Sequence, residues 1–238
     1  MYSLNTPQVD YDAAALSKEL VSFYDSYLKV YGDTALGAAW PSETDRTLRF
    51  RIGCELILQF SGGNDVTVCD LGCGTGEFYS YILQESIPGI SYIGVDASDK
   101  ALRYARQKFS DVRFLHLDPL NCLENELKSI NCDFVFANGL FTVKNTANYA
   151  IMWMFMTTIL EKIWPRVRRG IIFNVMSKIV DWERDDLFHV SYDELARYLH
   201  GLAGRFIGFR ADYGLYEFMA YAIKPEASTL LMSHSSSS

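Results

Sequence analysis

The chain has 238 residues, with 22 basic against 29 acidic side chains and a net charge of −7. Apolar residues make up 49% and charged residues 21%, which excludes wholesale disorder and suits one large domain or a domain with a small extension. The acidic excess and the absence of a basic stripe count against a nucleic-acid partner, and the longest apolar run, 150–160, is shorter than the about 20 residues of a membrane span.

Leu16, Leu20, Phe23, Tyr27 and Leu28 recur at helical spacing, so the first thirty or so residues read as an amphipathic helix ended by Gly32. A second helix is predicted from Ser42, where Ser42-Glu43-Thr44-Asp45 has the form of a capping box after Pro41. It stops at Ser61-Gly62-Gly63. Short apolar runs at 66–71, 92–95, 112–117, 134–137 and 170–175 then read as buried strands. Helical stretches at 78–83, 100–109 and 149–163 fall between them, which predicts βαβ units and a parallel sheet covered on both faces. A last helix at 192–202 precedes two strands, 206–210 and 216–223, joined by a turn at Asp212-Tyr213-Gly214 as an antiparallel hairpin. The expected organisation is a helical extension over 1–62, a ligand-binding domain over 63–226 and a disordered serine-rich tail over 227–238. Five cysteines, an odd number without zinc-finger spacing, and no secretory signal point to reduced thiols in a cytoplasmic protein.

The strongest chemical signal is Asp70-Leu71-Gly72-Cys73-Gly74-Thr75-Gly76-Glu77. An acidic residue ends a buried strand, and glycines at alternate positions carry the chain into a helix, where a Cβ would block a ligand from the backbone. A dinucleotide fingerprint starting at Gly72 needs glycine at position 77, and a carboxylate stands there instead. Glu77 would oppose a pyrophosphate, so the loop suits a cationic ligand without phosphate, and nicotinamide redox chemistry is disfavoured. Asp96 and Asp118 end the next two strands, placed to accept ribose hydroxyls and an exocyclic amine of an adenine.

In these motifs the chain resembles the class I S-adenosylmethionine-dependent methyltransferases over about 66–223. The resemblance implies an α/β, Rossmann-like seven-stranded, mostly parallel sheet of order 3-2-1-4-5-7-6 with strand 7 antiparallel. It implies S-adenosyl-L-methionine as cofactor, with S-adenosyl-L-homocysteine as product and no metal. Gly72, Gly74 and Gly76 would line the methionine moiety and Asp70 would approach its ammonium. Asp96 with Ala97 would hold the ribose, Asp118 with Pro119 would meet the adenine, and Asn138 after strand four would lie near the methyl group. Tyr31-Gly32-Asp33, Trp40, Arg49-Phe50, Asn174 and the run from Asp212 to Phe218 resemble a bacterial small-molecule subgroup. Its members usually carry His-Gly where Tyr31-Gly32 stands, so no role for that imidazole carries over.

Methyl transfer is an in-line displacement governed by positioning, and a base is needed only for an acceptor that must lose a proton early. His189, after strand five, is the candidate base, or alternatively a loop histidine bonded at the surface. Arg49 is the candidate partner of the methionine carboxylate, or alternatively an exposed helix charge. Trp40 is placed to pack on adenine or acceptor, and Phe141, Tyr213 and Tyr216 to bind substrate. Asn138-Gly139-Leu140-Phe141 differs from the Asp/Asn-Pro-Pro-Tyr/Phe motif of nucleic-acid amino-methyltransferases. The expected function is therefore O-methylation of a hydroxyl on a saccharide or natural-product scaffold. The alternatives are N-methylation of a small amine, or a non-catalytic S-adenosylmethionine-binding sensor or complex subunit.

Overall fold

A computed structural model describes residues 7–225, with side chains from residue 13 onward. The tail expected at 227–238 lies outside the described residues. The chain runs α1 (Pro7–Tyr31), a 3-10 turn (Leu36–Ala38), α2 (Glu43–Ser61), β1 (Val66–Leu71), α3 (Glu77–Gln84), β2 (Ile90–Asp96) and α4 (Asp99–Lys108). It continues through β3 (Arg113–His116), α5 (Glu124–Leu127), β4 (Cys132–Ala137), α6 (Tyr149–Ile163) and β5 (Val167–Ser177). It ends with β6 (His189–Val190), α7 (Tyr192–Ala203), β7 (Ile207–Arg210) and β8 (Glu217–Ile223). The helix signals act as read. Ser42 Oγ accepts the Asp45 N–H at 3.1 Å, and Gly62 closes α2 with φ +63°.

The sheet order is β3-β2-β1-β4-β5-β8-β7, with β8 antiparallel to both of its neighbours. This is the expected order once one addition is allowed for. The two-residue β6 pairs with the end of β5 and moves the hairpin strands to seventh and eighth in the chain. Two residues carry no periodicity, so the sequence pattern had no signal for that strand.

Each central strand feeds both faces, as the two-residue pleat requires. Phe134 and Phe136 of β4 join Val68 in a core under α2, α3 and α4, with Ile57, Phe78 and Leu102. Val135 and Ala137 join Cys69 in a second core under α1, α6 and α7, with Leu16, Met156 and Leu199. Gly53 shows how closely α2 packs on β4, because a Cβ there would lie 2.5 Å from the fully buried Phe136 ring. Gly53→Ala gains about 1 kcal/mol of helix propensity but adds a methyl to a filled core, at a cost of about 1–3 kcal/mol. The expected result is a lower urea midpoint with an unchanged slope, and a raised midpoint would show that the two elements have room to separate.

Candidate active site

The carboxyl ends of β1, β2 and β4, the loop after β3 and the inner face of α1 enclose one large cavity. Its floor begins where β1 leaves the sheet. Gly72, Gly74 and Gly76 all hold positive φ (+81°, +54° and +83°), which lets the chain turn sharply into α3. A Cβ on Gly74 would meet nothing within 4 Å, so the missing side chain leaves open space over the loop. Gly76 caps α3 and does not line the cavity; a Cβ there would press on Phe109 at 3.2 Å.

Asp70 lies on the cavity wall, buried, and accepts a 2.7 Å hydrogen bond from the Tyr92 hydroxyl. Burial pushes its carboxyl up to about 7, against the Tyr92 bond and with a further push from Asp96. Asp96 accepts the Gly74 N–H on one oxygen and the Ser98 N–H on the other, both at 2.7 Å. Its pKa is also raised, by burial first, while those two bonds oppose the rise. Asp118 has its oxygens largely engaged already, by the Leu120 N–H at 2.9 Å, Asn121 at 2.6 Å and the Ser17 hydroxyl at 2.7 Å. It therefore fastens α1 over the cavity as well as lining it. A second fastening joins the Ser98 hydroxyl to Asp25 at 2.5 Å. Between these bonds α1 presents Leu20, Val21 and Tyr24 inward, and burial and the charge of Asp96 push the Tyr24 phenol upward.

Arg46, which the sequence reading missed, is the basic side chain of this wall. It is 7% exposed, and its Nη2 reaches Glu77 at 3.2 Å. Lys108 balances Glu77 from the other side at 2.7 Å and also holds Asp33 at 2.8 Å. Nε and Nη1 of Arg46 have no partner, nor has Asn138 Oδ1 on the facing loop. Among the described residues, three of the four buried side-chain atoms left unpartnered thus belong to residues lining this cavity. Such orphans are costly, and their concentration here marks a place for a polar ligand. The lining also has apolar side chains, Leu140, Val143, Phe155 and Ile159, with Leu140 packed against Gly72.

Of the residues singled out from sequence, Trp40, Asp70, Gly72, Gly74, Asp96, Ala97, Asp118, Pro119 and Asn138 come together on this cavity. The others do not. Arg49 is turned away into a buried ion pair with Glu217, its Nε 2.8 Å from both carboxylate oxygens, so it is not free to meet a ligand carboxylate. His189 is buried in β6, with Nδ1 2.7 Å from the Ser177 carbonyl and Nε2 accepting the Arg184 N–H at 3.2 Å. Both of its nitrogens are bonded and it has no place on the cavity wall. Phe141 is a core residue packed edge-on against Phe155 and Phe173. Tyr213 is buried with its hydroxyl on Glu217 at 3.3 Å, and Tyr216 points to solvent outside the cavity.

A family model described as a methyltransferase domain matches residues 63–163. A protein of Mycobacterium tuberculosis whose name assigns it as a methyltransferase is 25% identical over 154 residues, covering 64% of this chain and 89% of that one. Two other methyltransferases, a tRNA (guanine-N(7)-)-methyltransferase of Clostridium botulinum and a trans-aconitate 2-methyltransferase of Azoarcus, are spanned for only 41% and 34% of their lengths. Among solved structures, the magnesium protoporphyrin IX methyltransferase of Synechocystis with bound S-adenosylmethionine superposes with a TM-score of 0.60 at 14% identity, over 94% of this chain and 99% of that one. The plantazolicin methyltransferase BpumL with S-adenosylhomocysteine does so at 0.59 and 13% identity, over 91% and 97%. At those identities the superpositions establish the fold. With the matched domain lying across the glycine loop and the first four strands, and the sheet in the order that the resemblance implied, the chain carries a methyltransferase domain on a Rossmann-like fold shared with S-adenosylmethionine-dependent methyltransferases.

Proposed function

We propose that this enzyme methylates a small, largely apolar acceptor of the natural-product kind, with the amino-acid end of S-adenosylmethionine held between Arg46 and Asp70. The observation that carries the reading is the pair of unpartnered, buried Arg46 nitrogens on the same cavity as the buried Asp70 carboxylate. A guanidinium and a carboxylate match a ligand that bears both a carboxylate and an ammonium. Asp96 has lone pairs left for ribose hydroxyls beyond its two backbone bonds, and Ala97, Asp118 and Pro119 form the adjoining wall for the adenine. When bound, S-adenosylmethionine supplies an electrophilic methyl group. The residues of this chain orient it, exclude water under α1 and hold the acceptor in line.

Leu140, Val143, Phe155 and Ile159 favour an apolar scaffold over a saccharide, whose hydroxyls need polar partners. With His189 bonded elsewhere and Tyr24 pushed upward, the cavity favours a nucleophile that arrives with a free lone pair, an amine nitrogen or an ionised hydroxyl. The net charge of −7 supports a small acceptor over a nucleic acid. The five free cysteines support a reducing, cytoplasmic setting. No helix of the described residues is long and apolar enough to cross a membrane.

S-adenosylhomocysteine at about 100 times its Kd is expected to add about 2.7 kcal/mol, a rise in melting temperature of about 5–10 °C for a chain of this size. Asp96→Ala is expected to lose the rise. No rise in folded, ligand-free wild-type protein would remove the cofactor assignment. Labelled-methyl transfer to a panel of apolar heterocycles and simple sugars then tests the acceptor, and transfer confined to the sugars would overturn that part.

A further inference from the structure

Behind the cavity wall lies a closed circuit of contacts that includes three residues outside the lining. Gly139, on the turn after β4, donates its N–H to Asn174 Oδ1 at 2.7 Å. Asn174 Nδ2 donates to Glu217 Oε1 at 3.1 Å, and Glu217 accepts Arg49 Nε at 2.8 Å and pairs with Nη2 at 2.7 Å. The Arg49 guanidinium lies 4.5 Å from the centre of the Trp40 ring. Trp40 returns to the start, because its ring packs where a Cβ on Gly139 would be, 2.5 Å from Cζ2, and Gly139 holds φ +83°. The circuit joins the segment before α2, α2 itself, the β4 turn, β5 and β8. Asn174 and Glu217 are 0% and 2% exposed, so no water competes for their bonds. Only Trp40 and Gly139 line the cavity, beside Asn138 with its unpartnered Oδ1.

We propose that Asn174, Glu217 and Arg49 are positioning residues that fix the Trp40 and Asn138-Gly139 wall against the cofactor. This rests on the cavity being the S-adenosylmethionine site. A buried charge pair joined to a buried amide is poor value as a source of stability alone, because desolvation offsets much of the attraction. Its geometric effect is specific: the Asn174 amide has one correct orientation, with its oxygen on Gly139 and its nitrogen on Glu217, and the Arg49 fork has one plane for Trp40 to lie over.

The test reads S-adenosylhomocysteine affinity by calorimetry together with the emission of Trp40, isolated as the difference between each protein and its Trp40→Phe counterpart. Asn174→Ala is expected to weaken binding about tenfold and to shift Trp40 emission, although the Asn174 amide bonds to Gly139 and Glu217. Leu127→Ala, which empties a buried position outside both the circuit and the cavity lining and lowers stability as much or more, is expected to leave both readings unchanged. Should Asn174→Ala be too unstable to titrate, Arg49→Lys, which keeps the charge but loses the fork, is expected to move both readings the same way. Asn174→Ala or Arg49→Lys binding within about twofold of wild type with unchanged Trp40 emission would overturn the proposal while leaving the cofactor site standing. Failure of the wild-type protein to bind at all would remove the cofactor site and the proposal with it.

Discussion

Arg46→Met is expected to weaken S-adenosylhomocysteine binding by about ten- to a hundredfold, the range for losing hydrogen bonds to a charged group. The same change is expected to leave the ligand-free protein as stable as wild type or more so. Two of the Arg46 nitrogens are buried without partners, and Met keeps much of the side chain's apolar length while removing them. Glu77 is not stranded by the change, since Lys108 still holds it at 2.7 Å. Affinity and stability thus move in opposite directions, as they do where a site is kept strained for its ligand. Calorimetric titration beside a melting curve decides the matter. A variant that melts earlier yet binds as wild type would make Arg46 a structural residue and leave the amino-acid end of the ligand without its cation.

The contrast between Arg46 and Arg49 shows where sequence reading reached its end. They stand three apart in α2, on one helix face, and both are buried. The choice between them is made by Glu217, which lies 168 residues from Arg49 in the chain and captures it completely. Nothing local to α2 reports that. The glycine loop and the three strand-end aspartates were legible because their signals are local, a buried run followed by a turn. The crossover rule for parallel sheets then brings such ends to one edge.

The placement of His189 away from the cavity has a related cause. This residue follows the run Asp181–Asp186, which is exposed as its charges demand, and only the two-residue pairing of β6 with β5 turns the imidazole inward. Phe141 and Tyr213 sit at element ends, where an aromatic ring serves core or ligand equally well, and packing against Phe173 or Glu217 decides which. Leu16, Leu20 and Leu28 of α1 are buried as their spacing implies, whereas Phe23 and Tyr27 are half-buried and Val21 and Tyr24 line the cavity beside Leu20. That the inward face covers the site, fastened through Ser17 and Asp25, depends on partners about 101 and 73 residues away.

Asp70 carries the second large effect, and its sign follows from burial. Its carboxyl titrates near 7 in the folded protein, against about 3.9 when unfolded. The folded state therefore keeps the proton that the unfolded state loses. Stability on this account is greatest at low pH, declines between about pH 4 and pH 7, and is level above. A ligand ammonium reverses the preference, since it binds the ionised carboxylate. Affinity for S-adenosylhomocysteine is expected to rise from pH 5 to pH 7, by up to about tenfold per unit, and to level off beyond, with protons released on binding at the acid end. Asp70→Asn is expected to abolish that dependence, to melt later than wild type at pH 8 because no buried charge remains, and to bind about ten- to a hundredfold more weakly there. Titrations at pH 5, 6, 7 and 8 in buffers of differing ionisation heat read both the affinity and the proton. Wild-type affinity that stays flat across the series would mean that Asp70 is ionised throughout or does not face the ammonium. Since Asn keeps the shape of the Asp side chain, the melting curve of Asp70→Asn at pH 8 separates the two: a later melt retains the buried charge and moves the ammonium elsewhere, and an unchanged melt removes the charge penalty itself.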